Sequence, residues 1–260
     1  MEDYLPLMQI FLTGFIALAL IAGCTQKNPG NSAIGPQGSD GMAGSGSFEK
    51  VSFTTEDGFT IAGNLYRGGK NAVVLLPQFT LDRSSFSGLA KKLNNANFTV
   101  LALDLRGHGE SLDQNGTKRN YQSFSGQDFR NMQKDVKAAN KYLGQQGFTL
   151  YAIVGSSIGA NTAVTFASQD ISVQKIVLLS PGLDFKGIET ESPARMVKAK
   201  ALIVASSEDD YSFASGKTLQ EKISGAEFLG LQGAGHGTNM FSGTSLEDDI
   251  VKWLGDENAD

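Results

Sequence analysis

Groups able to move a proton near neutral pH are scarce in this chain of 260 residues, which holds two histidines, His108 and His236, and a single cysteine, Cys24. One serine stands out by its spacing. Val154-Gly155-Ser156-Ser157-Ile158-Gly159-Ala160 centres Ser157 in a G-x-S-x-G pattern, after an apolar run and before a helical run of small residues. Such a pattern suits a sharp strand-to-helix turn that exposes the central hydroxyl and tolerates only small side chains two residues to either side. The helix that follows would also direct the positive end of its dipole at the hydroxyl. A hydroxyl becomes a competent nucleophile when a base removes its proton, and attack on an acyl carbonyl is the chemistry this permits. Ser156 would compete with Ser157 only under a different register.

The base is expected to be His236, in the small-residue loop Gly233-Ala234-Gly235-His236-Gly237 after the last strand-like run. His108, in Arg106-Gly107-His108-Gly109, is read as a structural loop residue, because hydrogen-bonded loop histidines are commoner than catalytic ones. A carboxylate must fix the imidazole tautomer and stabilise the imidazolium. The apolar run at 201–205 leads into Ser206-Ser207-Glu208-Asp209-Asp210, where Asp209 is the first choice and Asp210 the second.

These groups need a frame. Alternating runs at 49–55 and 60–66 flank Asp57-Gly58 as a half-exposed hairpin would. Continuous apolar runs follow at 72–76, 100–103, 151–154, 176–179 and 201–205, with a weaker one at 227–231, the habit of strands covered on both faces. Helical spacing of apolar residues occupies 82–93, 128–143, 158–167, 213–223 and 246–254. Strand and helix in alternation indicate a doubly wound α/β sheet with an antiparallel start.

From about residue 48 to 253 the chain resembles the α/β-hydrolases. Asp104-Leu105-Arg106-Gly107-His108-Gly109-Glu110-Ser111 is similar to the D-x-R-G-x-G-x-S segment of many members. The elbow, the acid after the next-to-last strand and the His loop fall in the family's order of Ser, Asp, His. The resemblance implies a mostly parallel eight-stranded sheet flanked by helices, and hydrolysis of a carboxylic ester or thioester through an acyl-enzyme without cofactor or metal. It also implies an oxyanion hole from the Phe79 and Ile158 backbone amides. Members usually carry His-Gly after the third strand, where this chain reads Pro77-Gln78-Phe79. The short stretch from 179 to 201 leaves no room for a substantial lid. The substrate is therefore expected to be an acyl compound of modest size or the exposed end of a larger molecule, in a pocket walled by Phe79, the 181–185 loop and Tyr211. A peptidase or amidase on the same fold, and a catalytically silent tethered binding protein, are the alternatives.

A net charge of −5 and the lack of a Lys/Arg-rich run argue against nucleic acid as a partner. One Cys and two His argue against a disulfide framework and a multi-histidine metal site. Residues 10–22 form an apolar run suited to a signal peptide, and Ile21-Ala22-Gly23-Cys24 resembles a bacterial lipobox, which implies lipidation of Cys24 and an exported, membrane-anchored protein. Glu2 and Asp3, with no positive charge in residues 1–9, depart from that pattern, and an uncleaved anchor is the alternative for 1–23. Residues 24–47 are rich in Gly and Ser and read as a flexible tether before a domain at 48–260.

Overall fold

Eight strands carry the sheet: β1 (Glu49–Thr54), β2 (Phe59–Tyr66), β3 (Asn71–Leu76), β4 (Thr99–Leu103), β5 (Thr149–Ser156), β6 (Lys175–Leu179), β7 (Lys200–Ser206) and β8 (Glu227–Leu231). This is a computed structural model describing residues 47–256, so the expectations for 1–23, for Cys24 and for the tether up to residue 46 lie outside the described residues. The strand order is β8-β7-β6-β5-β3-β4-β2-β1. Every pairing from β4 through β8 is parallel, while β2 runs antiparallel to both β4 and β1.

Period-two alternation decides which face each side chain covers. In β3, Val74 and Leu76 enter one apolar cluster, and Val73 and Leu75 enter the other. The first cluster lies beneath α2 (Gln133–Gln145), α3 (Ile158–Ala167) and α4 (Asp210–Lys222), the second beneath α1 (Ser87–Asn95) and α5 (Leu246–Gly255). Both faces of β3 to β7 are therefore covered, which is why these strands read as unbroken apolar runs. Each fully buried aliphatic side chain contributes about 1.5–3 kcal/mol. Among the described residues, no helix is long and apolar enough to cross a membrane.

Two differences from the sequence reading have local causes. The helical run at 82–93 opens as a 3₁₀ turn (Arg83–Phe86) capped by Asp82, and the run at 128–143 is broken into Gly126–Arg130 and α2. Two short hairpins carried no periodicity to read. Asp113–Gln114 with Thr117–Lys118 joins β2 and brings the sheet to ten strands, and Asp184–Phe185 pairs separately with Ile188–Glu189. Their turns, Asn115-Gly116 and Lys186-Gly187, hold both residues at positive φ, as two-residue hairpins of this hand require. The second hairpin and the short helix Glu191–Ala194 are all that stand between β6 and β7 in place of a lid.

The loop after β4 is a frame of buried charge. Asp104 accepts from the Arg83 and Glu110 amides at 2.8 and 2.7 Å and pairs with the Arg83 guanidinium. Arg106, 1% exposed, donates Nε to fully buried Asp135 at 2.8 Å and Nη1 to Asp57 at 2.8 Å. Arg106→Met strands the Asp135 carboxylate in the core and is expected to cost about 3–5 kcal/mol in urea unfolding, a loss below about 1 kcal/mol contradicting this. His108 sits inside the same frame, 3% exposed. Its Nδ1 meets the Arg106 carbonyl at 3.0 Å, its ring stacks on Tyr121 at 4.5 Å, and burial pushes its pKa below the ordinary imidazole value. This is the structural place expected of it.

Candidate active site

Ser157 joins β5 to α3 with φ 52° and ψ −113°, a conformation that costs a residue with a Cβ about 1–3 kcal/mol and persists only where its surroundings enforce it. The enforcement is visible on both sides. The Ser157 amide donates to the Leu179 carbonyl at 2.8 Å, and its carbonyl accepts from Asn161 at 3.0 Å. A Cβ on Gly155 would overlap the Gly159 carbonyl, and one on Gly159 would overlap the Leu76 carbonyl. Strand, turn and helix therefore pack at backbone contact, as the spacing of the two glycines requires. Ser156, by contrast, is fully buried and donates its hydroxyl to Gln78 Oε1 at 3.0 Å, which removes it as a rival.

His236 follows β8 in a loop tied on both sides of the imidazole. Ahead of it, the Glu208 carboxylate accepts from the Gly233 and Gly235 amides at 2.9 and 3.0 Å, and Ser206 Oγ accepts from Ala234 at 3.0 Å. Behind it, the Gly237 amide donates to Ser180 Oγ at 2.9 Å and the Thr238 amide to Gln78 Oε1 at 2.9 Å. Gly237 holds φ 61° where a Cβ would strike Gln78 Oε1 and Ser156 Oγ. The amides of Gly235 and Gly233, with the Ser206 hydroxyl, hold Glu208 down to about 2, so its grip is complete above the ordinary carboxylate range and fades as pH falls towards that value. Glu208→Ala should loosen the loop and lower kcat/KM on an activated ester by about tenfold to a hundredfold. An unchanged kcat/KM would show that the loop needs no such clamp.

Asp209 caps α4, its Oδ1 accepting from the Ser212 amide at 3.4 Å, and its Oδ2 lies 2.6 Å from His236 Nδ1. Burial pushes the Asp209 carboxyl up, but the hydrogen bonds from His236 and Ser212 outweigh it and hold the group below its ordinary value. Asp209 is therefore ionised at neutral pH and is placed to accept a hydrogen bond from Nδ1 of His236, the arrangement that turns Nε2 to face a nucleophile. Asp210 is exposed at the first residue of α4. Of the three adjacent acids, Asp209 meets the imidazole and Glu208 holds the loop before it.

Ser157, Asp209 and His236 line one cavity of about 280 Å³, with Gln78, Phe79, Phe185 and Tyr211 among its other walls. Within this cavity no hydrogen bond joins Ser157 Oγ to His236. Catalytic hydrogen bonds are often long in unliganded enzymes and tighten around substrate. Among the described residues neither the Ile158 amide, at the start of α3, nor the Phe79 amide, in the loop after β3, donates to a protein acceptor. The Phe79 ring packs edge-on against Phe185 and Tyr121 at 5.6 and 5.0 Å, joining the cavity wall to the core. The hairpin at 184–189 is fixed beside the cavity by Asn161, which the sequence reading missed, and by Tyr211, which that reading places in the wall. Buried Asn161 donates to the Ile188 carbonyl at 3.0 Å and accepts from Gly182 at 2.9 Å, and Tyr211 Oη donates to the Asp184 carbonyl at 2.8 Å. Among the described residues no cluster of three or more His, Cys, Asp or Glu could hold a metal ion.

A parallel sheet wound on both faces, with a strained serine at a strand-to-helix elbow and a His–Asp pair on later loops, defines the class. The family model for the alpha/beta hydrolase fold matches residues 71–209, more than half of the 260, and the chain belongs to that family. No curated protein matches the sequence. Among solved structures, an esterase from Exiguobacterium antarcticum is 13% identical with a TM-score of 0.66, covering 80% of this chain and 100% of its own. An esterase of Pyrococcus furiosus is 17% identical with a TM-score of 0.65, covering 80% of this chain and 89% of its own. A dienelactone hydrolase from Anabaena variabilis is 16% identical with a TM-score of 0.62, covering 80% and 95%. At these identities the likeness is one of fold.

Proposed function

We propose that the chain is a serine hydrolase acting on carboxylic esters or thioesters of modest size. Ser157 Oγ attacks the acyl carbonyl as His236 Nε2 takes its proton. The imidazolium then protonates the leaving alkoxide or thiolate, and Asp209 stabilises the charge without being protonated itself. The amides of Phe79 and Ile158 are the donors to the oxyanion, at the positive end of α3. Water, deprotonated by His236, releases the acid and restores the serine. The observation that carries this reading is the 2.6 Å contact of Asp209 with His236 Nδ1, which leaves Nε2 as the basic atom in a cavity shared with Ser157. The esterase neighbours support ester bonds as the substrate class.

The test is hydrolysis of p-nitrophenyl acetate and butyrate against the matched anilides. Esters should turn over and anilides should not; preferential anilide cleavage would make the chain an amidase, and no turnover of either would favour a silent binding protein. Export and lipid anchoring at Cys24 belong to the same proposal, resting on residues 10–24 of the sequence.

A further inference from the structure

Gln78 occupies the position where the resemblance leads one to expect glycine, and its side chain is unusually constrained. Its Oε1 accepts from the Thr238 amide at 2.9 Å, from Ser156 Oγ at 3.0 Å and from Thr238 Oγ1 at 3.2 Å. A backbone N–H can bond only to the oxygen of a carboxamide, so the Thr238 contact fixes which end of the group faces the His loop. The NH₂ end is then turned away from these three donors. Among the described residues it donates to no protein acceptor, yet it is not enclosed: the buried side-chain polar atom left without a partner is His108 Nε2. Gln78 lines the cavity beside Ser157, and the free Phe79 amide is the next in the chain.

We infer that Gln78 donates a hydrogen bond from Nε2 to the substrate's acyl oxygen as it becomes an oxyanion, a third donor beside the Phe79 and Ile158 amides. This rests on the serine hydrolase reading. The carboxamide is oriented before substrate arrives, held by the elbow on one side and the His loop on the other, so no reorganisation accompanies the reaction. The side chain is thus both a staple through Oε1 and a catalytic donor through Nε2, and the two roles are separable by substitution. Gln78→Glu keeps an accepting oxygen and loses the donor, whereas Gln78→Met loses both.

The three proteins are compared for kcat and KM on p-nitrophenyl acetate across pH, for melting temperature, and for adduct formation at Ser157 with a fluorophosphonate. Gln78→Glu is expected to stay folded and lose about a hundredfold in plateau kcat with KM nearly unchanged, and Gln78→Met to fall at least as far. A folded Gln78→Glu enzyme within about threefold of wild-type kcat would make Gln78 a staple alone and overturn the inference. Should Gln78→Glu not fold, Gln78→Met decides. A hundredfold loss at an unshifted pH profile supports the donor, and either a shifted profile, the mark of a displaced His236, or an intact kcat overturns it. Failure of wild-type Ser157 to form an adduct would instead overturn the hydrolase reading, and this inference with it.

Discussion

Ser157→Ala is expected to lower kcat by about 10⁶-fold, because removing the nucleophile from a triad that acts as a unit costs nearly as much as removing the whole triad. The loss should come without unfolding. Alanine carries the same Cβ as serine, so the φ of 52° is no harder to hold, and the bonds that fix the elbow are made by the backbone of Ser157. Binding of a ground-state ester analogue should survive, since the cavity walls at Phe79, Phe185 and Tyr211 are untouched. Stopped assays over days, with melting curves beside them, measure both halves. Activity within about a hundredfold of wild type would remove Ser157 from the chemistry.

Asp209→Asn should cost about 10⁴-fold in kcat at neutral pH. The 2.6 Å contact requires an acceptor opposite the Nδ1 proton. An asparagine amide turned towards Nδ1 donates instead, which favours the wrong tautomer and leaves Nε2 protonated where a base is needed. Asp210→Asn, one residue further on and exposed, should leave kcat within about threefold of wild type. Equal losses at the two positions would contradict the assignment. The sign of the pH dependence follows from the depressed Asp209 carboxyl. Its charge is retained below the ordinary carboxylate value of 3.8, and the support it gives to both fold and imidazole is lost only as pH falls further, through its own lowered value.

Much of this site was legible in the sequence, and for stateable reasons. Gly155 and Gly159 are demanded by backbone contact, so the elbow is written in residue type. Strands β3 to β7 are buried on both faces, so they read as apolar runs. Glu208 was legible as one of three acids but not as the clamp on the His loop, because that role depends on how β7 and β8 end side by side. Gln78 read as a departure from the family, and only the fold brings Thr238, 160 residues away, to its side chain. The hairpin at 184–189 rests on two-residue strands, too short to show any period. Asn161 carries no sequence signal for its part in holding that hairpin, lying in a helix whose residues are nearly all buried.

The most direct measurement is reaction of the wild-type protein and of Ser157→Ala with a fluorophosphonate, followed by peptide mass mapping. The expected result is one phosphonyl adduct per chain, on Ser157, and no adduct in the alanine variant. An adduct on another residue, or undiminished labelling of Ser157→Ala, would contradict the assignment of Ser157 as the nucleophile.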